Sequence, residues 1–187
     1  EWSGNTPVGG DHNVVFLEGN EAIERCAHWL VEEEPGQLYL DRISISELCE
    51  SFSGRQDVLL IPHVGGRRAD LSFHNANFMP LIEICSCHGL FEWFASEALR
   101  KGLQVGFIAG GDDHTTRPGA NFSSGARFAQ SGLRGGFIGV YASELTREAL
   151  WDAMWKRRCY GTTGERIRIW IDADGHPMGE AYTSNDP

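Results

Sequence analysis

The stretch IAGGDDHTTRPGA, residues 108–120, sets Asp112, Asp113 and His114 directly behind an apolar approach and two glycines. Asp112 and His114 are two residues apart, so extended backbone sends their side chains to one side and Asp113 to the other. A carboxylate oxygen and an imidazole nitrogen converging there suit a borderline divalent ion such as zinc, manganese or iron. The same residues also suit a polar turn, with an aspartate in an Asx-turn or helix cap and the histidine solvated. A bare phosphate cradle fits less well, because the carboxylates repel an anion unless a cation intervenes.

Other candidates lie at similar places. His63 follows the apolar run LLIP and precedes two glycines, so it stands at a strand end where the backbone is free to turn. It reads either as a group facing a pocket or as a buried histidine bonded to a carbonyl. Glu83 sits inside the apolar strand LIEICS, where a lone carboxylate is costly unless it is ion-paired or metal-bound. His88 follows that strand. Arg67, Arg117 and Arg166 fall at strand ends or in their loops, and guanidinium forks suit phosphate or carboxylate as well as surface salt bridges. His12 precedes the first strand with only a faint local signal. His28, on a helix, and His74 and His176, in loops, read as structural or solvated.

The elements needed to position these groups follow from periodicity. Residues 13–18 read as a strand, and a helix follows Asn20 with Ile23, Cys26, Ala27, Leu30 and Val31 on one face, ended by Pro35-Gly36. Ser44 and Glu47 have capping-box spacing ahead of Leu48 and Phe52. Strands are expected over 57–63, 81–86, 103–110, 136–142 and 166–174, with helices over 89–102 and from Ser143 or Thr146 to about Lys156. The loop over 115–135 is long for a compact domain, which suggests a rim or lid. Apolar strands alternating with amphipathic helices predict an α/β fold with a mainly parallel sheet, outer helices and a site at the carboxyl ends of the strands.

Composition narrows the function. With 187 residues the chain is long enough for one domain with a substantial core, and its formal charge of −10 argues against a broad nucleic-acid surface. A small anionic substrate stays open, because metals and a few arginines can make a positive pocket in an acidic protein. No apolar run approaches the roughly 18 residues of a membrane span. The five cysteines read as buried thiols, and Cys85 and Cys87 lack the CxxC spacing of common zinc sites. No nucleophile elbow, Walker loop or dinucleotide fingerprint is present. The start at Glu-Trp-Ser, without Met, suggests a fragment whose upstream sequence would hide any signal peptide.

Taken together, LLIPHVGGRRADL, LIEICSCHGLFEWFASEALRKGLQVGFIAGGDDHTTRPGA and ELTREALWDAMWKRRCYGTTGERI resemble the DUF3604 family over about residues 8 to 172. That is a bacterial, PHP-like group within the polymerase-and-histidinol-phosphatase superfamily of metal-dependent phosphoesterases. The resemblance implies the C-terminal part of a distorted (β/α)7 barrel, with two or three divalent ions in the intact protein. It implies that His63, Asp112 and His114 are metal ligands, that His12 corresponds to a further histidine ligand, and that Glu83 and His88 lie near the site. The superfamily opens with an H-x-H pair, and none exists here, which predicts either the C-terminal half of a longer protein or a degenerate domain. This chain alone is then expected to be inactive.

The expected activity of the intact protein is hydrolysis of a phosphate ester by a metal-activated water. Asp112, His114 and Arg117 would form the catalytic group. Glu83 and His12 would add to the ligands, and Arg67, Arg117, Arg166 and His88 would bind the anionic substrate. Two other readings remain: a non-catalytic anion-binding or interaction module, and a metal hydrolase acting on a non-phosphate bond. Oligomeric state is not legible.

Overall fold

A computed structural model describes residues 1–19, 23–26, 39–112 and 135–184. The chain opens with a short strand, β1 (Trp2–Ser3), a 3-10 turn at Thr6–Val8, and β2 (Asp11–Phe16). Strands β3 (Ile23–Arg25) and β4 (Tyr39–Asp41) pair in parallel, and helix α1 (Ile45–Ser51) leads into β5 (Val58–Pro62). Strands β6 (Leu81–Ser86) and β7 (Gly89–Leu90) form a hairpin that runs into α2 (Glu92–Arg100) and β8 (Gly106–Ala109). The last part holds β9 (Phe137–Val140), α3 (Arg147–Trp155), β10 (Cys159–Thr162) and a small hairpin of β11 (Asp172–Ala173) and β12 (His176–Pro177).

Several elements form for the local reasons expected. Ser44 Oγ accepts the Glu47 N–H at 3.2 Å, and Glu47 reaches back to the Ile43 N–H at 2.7 Å. These bonds satisfy donors that the start of α1 leaves orphaned. Thr146 caps α3 in the same way through the Ala149 N–H, and Gly102 turns the chain after α2 at φ 71°. Strand β6 spans the predicted residues 81–86.

Other elements depart from expectation. Ile23–Arg25 is a strand rather than part of a helix, because its backbone pairs with Tyr39–Asp41. Gly89–Leu90 folds back on β6 before α2 begins, so the expected helix over 89–102 starts three residues late. Residues 166–171 form no strand despite their alternation, while Cys159–Thr162, which lacks that pattern, pairs with β9.

The larger correction concerns sheet topology. The expected α/β barrel with a mainly parallel sheet is absent among the described residues. Strands β1, β2 and β5 form one antiparallel sheet, β9 and β10 another, and β6 joins β8 in parallel but β7 in antiparallel. No sheet closes among these elements. The misleading signal was continuous apolarity, which parallel strands acquire through burial on both faces. Strand β5 acquires it differently: Val58 and Leu60 pack with Trp2, Leu48 and Phe52, while Leu59 and Ile61 pack with Leu81 and Ile108. An antiparallel strand lying between two apolar clusters is as apolar as a parallel one. Ile82 on β6 adds a third cluster with Phe94 and Ala98 of α2.

Candidate functional site

The polar residues gather where β5, β6 and β8 end. His63 follows β5, Cys87 and His88 are the two turn residues between β6 and β7, and Asp112 follows β8 by three residues. Parallel pairing of β6 with β8 brings the last two groups to one side. The Gly110 N–H donates to Cys85 O at 2.9 Å and the Cys87 N–H to Gly111 O at 3.2 Å, which fastens the two loops together. Antiparallel pairing of β2 with β5 adds the start of a strand, since His12 stands opposite Pro62 and the His63 N–H donates to Asp11 O.

Two groups of donors result. In the first, Glu1, Asp11 and His63 bring ligand atoms within 4.8 Å of one another. Asp11 Oδ2 accepts the Arg67 N–H at 2.7 Å, and Oδ1 lies 3.4 Å from Arg67 Nη1. Burial holds the Asp11 pKa above its ordinary value, opposed by the Arg67 N–H. Glu1 accepts from Ser3 Oγ and lies 3.9 Å from His63 Nε2. The His63 side chain is only 2% exposed, and neither ring nitrogen has a hydrogen-bond partner among the described residues. Two buried, unanswered nitrogens cost free energy on the order of 1–3 kcal/mol each unless something else satisfies them.

In the second group, Cys87, His88 and Asp112 also place ligand atoms within 4.8 Å of one another. His88 Nε2 stands 3.1 Å from Asp112 Oδ2, and Cys87 Sγ donates to Asp112 O at 2.6 Å. Asp112 takes a left-handed backbone, φ 45°, which aspartate tolerates better than most residues. Gly65 makes room for both groups. A Cβ there would meet His63 Cε1 at 2.5 Å and Asp112 Oδ2 at 3.4 Å, so the two side chains come together in the space its missing side chain leaves open.

Glu83 lies beneath. Burial pushes its pKa up to about 8, reinforced by the charges of Asp112 and Glu1, and Asn13 Nδ2 approaches it at 3.5 Å. Gly110 leaves it room, because a Cβ there would meet Glu83 Oε2 at 2.5 Å. No salt bridge from an arginine to Glu83 is found among the described residues, so the ion pair open to it in sequence is not made there.

His12 neighbours the first group. Burial drives its pKa down to about 4, against the Gly10 carbonyl that meets Nδ1 at 3.1 Å and with help from His63. It is therefore neutral near pH 7, with its ring edge-on to Trp2. Arg67 stands at the rim, 40% exposed beside Asp11. Arg166 is exposed and lies over the Phe137 ring, without a described contact to either donor group. His114 and Arg117 lie outside the described residues, as do His28 and most of the expected loop over 115–135.

Comparison with known proteins bears on the last part of the chain. Residues 113–183 match DUF3604, a protein family of unknown function. The DUF3604 match takes in His114, Arg117 and Arg166 and begins just past Asp112, a shorter span than the residues 8 to 172 expected from the sequence. The chain is also 34% identical over 87 residues to an uncharacterized protein of Chlamydia muridarum, covering 46% of this chain and 13% of that one. An uncharacterized Chlamydia trachomatis protein matches to the same extent, and one from Chlamydia pneumoniae is 36% identical over 92 residues, 49% of this chain and 14% of that one. This chain therefore spans about one seventh of the length of those relatives. No solved structure matches it.

Sequence reasoning missed Glu1, Asp11 and the role open to Cys87. The rule that sites gather at carboxyl ends of strands excludes Asp11, which begins one. Its signal was the dipeptide itself: a carboxylate at the first position of an apolar strand, behind two glycines.

Proposed function

We propose that these residues form part of the site of a PHP-like, metal-dependent hydrolase acting on a small anionic ester, with phosphate esters the first class to test. The observation that carries this reading is His63, buried with both ring nitrogens unanswered among the described residues, beside the carboxylates of Asp11 and Glu1. Imidazole and carboxylate are the donor set that zinc, manganese and iron take, so the residues present fit such an ion.

His63, Asp11 and Glu1 would hold one ion, and Asp112, close to His63 beside Gly65, would be shared with a neighbouring position, with His114 the further ligand expected from the sequence. Glu83 and His12 stand behind them. A bound divalent ion supplies a water of lowered pKa and neutralises charge on the substrate oxygen. Arg67, half-exposed and already beside Asp11, is placed to meet the anionic end of a substrate, with Arg117 a second cation for that role. His88 and Arg166 are the other two groups expected to bind substrate; His88 meets Asp112, and Arg166 lies over the Phe137 ring.

The test is metal analysis and a panel of phosphate esters, run on this chain and on a full-length relative. Bound divalent ion is expected in both, with turnover in the longer protein and little in this chain. Asp112→Ala is expected to lower turnover at least 100-fold. Absence of bound ion, together with turnover unchanged by Asp112→Ala, would sink the reading. Ion binding without turnover in the full-length protein would favour the non-catalytic anion-binding module.

A further inference from the structure

We infer that Cys87, His88 and Asp112 form a second, thiolate-bearing cation position that selects zinc over magnesium or manganese. The inference rests on the metal reading above and names a feature that reading does not contain.

The placement follows from the turn. Register pairs Ser86 with Gly89, so Cys87 and His88 are the two central residues of a two-residue hairpin loop. On a continuing strand adjacent side chains leave on opposite faces, whereas a tight turn releases both from that alternation. Here the sulfur and the imidazole both come to Asp112. The His88 N–H donates to Ser86 Oγ at 3.2 Å, and the Cys87 N–H is tied to Gly111 O, so both backbones are fixed.

The spacing suits an ion. Two ligands at 2.0–2.1 Å from a tetrahedral zinc stand roughly 3.3 Å apart. His88 Nε2 and Asp112 Oδ2 are 3.1 Å apart. All three donors lie within 4.8 Å of one another, while a sulfur and a nitrogen on one zinc are separated by roughly 3.6 Å, so modest side-chain rotation closes the set. Occupation would release the Cys87 thiol proton to water. The resulting thiolate is a soft ligand, which favours zinc and disfavours magnesium and manganese. Cys87 is fully buried, so only an ion that replaces the proton gives its sulfur a charged role there.

Cobalt(II) and zinc(II) alone are the probes, added to the full 187-residue chain. Cobalt is expected to give a near-ultraviolet thiolate-to-metal charge-transfer band, and zinc-edge absorption of the unmutated chain a sulfur scatterer at about 2.3 Å. Cys87→Ser should abolish the band and weaken zinc binding at least about tenfold, while Cys85→Ser and His63→Gln retain the band. An ion held only by nitrogen and oxygen, or a band that survives Cys87→Ser, overturns this inference and leaves the His63 reading standing. No bound ion at all overturns this inference, and the His63 reading falls with it only if turnover is also unchanged by Asp112→Ala. The absorption measurement uses the unmutated chain, so a variant that misfolds does not spare the inference.

Discussion

The two donor groups meet beside Gly65 but are built in opposite ways. Glu1, Asp11 and His63 come from three separated segments joined by antiparallel pairing of β1, β2 and β5. Cys87, His88 and Asp112 come from one hairpin turn and the end of a parallel neighbour. The first set offers oxygen and nitrogen, and its histidine lacks a hydrogen-bond partner among the described residues. The second offers sulfur as well, and its histidine already meets a carboxylate. Long-range pairing thus supplies a hard site from distant carboxylates, while a local turn supplies a softer one.

The sharpest way to break this contrast is to remove one donor from each side. His63→Gln is expected to lower manganese affinity about 10- to 100-fold with little change at the sulfur-bearing group, and Cys87→Ser to do the reverse with zinc. Calorimetric titration with each ion reads both arms. Equal losses for both ions in both variants would show that the residues form one undivided site.

The space that Gly65 leaves for both groups gives the next effect. Gly65→Ala drives a methyl into His63 Cε1 and toward Asp112, and is expected to destabilise by about 1–3 kcal/mol. Gly66→Ala, whose nearest neighbour is Asp11 Oδ2 at 3.8 Å, should change stability by less than about 0.5 kcal/mol. Chemical denaturation of the two variants compares them directly, and equal costs would mean that the space beside Gly65 is not needed by His63 and Asp112.

The smallest effect is a pH dependence beneath both groups. The Glu83 pKa is raised from 4.5 to about 8 by burial, then by Asp112 and Glu1. Between those values the folded chain holds a proton that the unfolded chain has lost, so stability falls as pH rises through that window. With a chelator present, Glu83→Gln is expected to flatten this loss and to exceed the unmutated chain by on the order of 1–2 kcal/mol near pH 8. Melting curves from pH 5 to 9 check it. His12, with its pKa lowered by burial, acts oppositely at the acid end, where stability falls as pH drops from 6.5 toward 4. A chain whose pH dependence is unchanged by Glu83→Gln would place that carboxyl outside the charged centre.

Helix caps were legible because they depend on neighbours in sequence. Ser44 and Glu47 needed only their spacing, and Thr146 only its position before an amphipathic run. The strand ends bearing His63, Cys87-His88 and Asp112 were legible for a similar reason, as apolar runs closed by glycine and polar residues. Strand direction was not. Burial of β5 between two clusters mimicked a parallel strand, and Ile23–Arg25 mimicked a helix until Tyr39–Asp41 supplied its partner.

By itself the sequence determined which residue types stand at which strand ends, because apolar period and turn chemistry are local properties. Only the tertiary structure decided that Asp11 and Glu1 join His63, that Gly65 leaves room for Asp112 beside it, and that Cys87 and His88 turn the same way. Those outcomes depend on pairing direction and register between segments up to about sixty residues apart, which hydrophobic period along one strand does not encode.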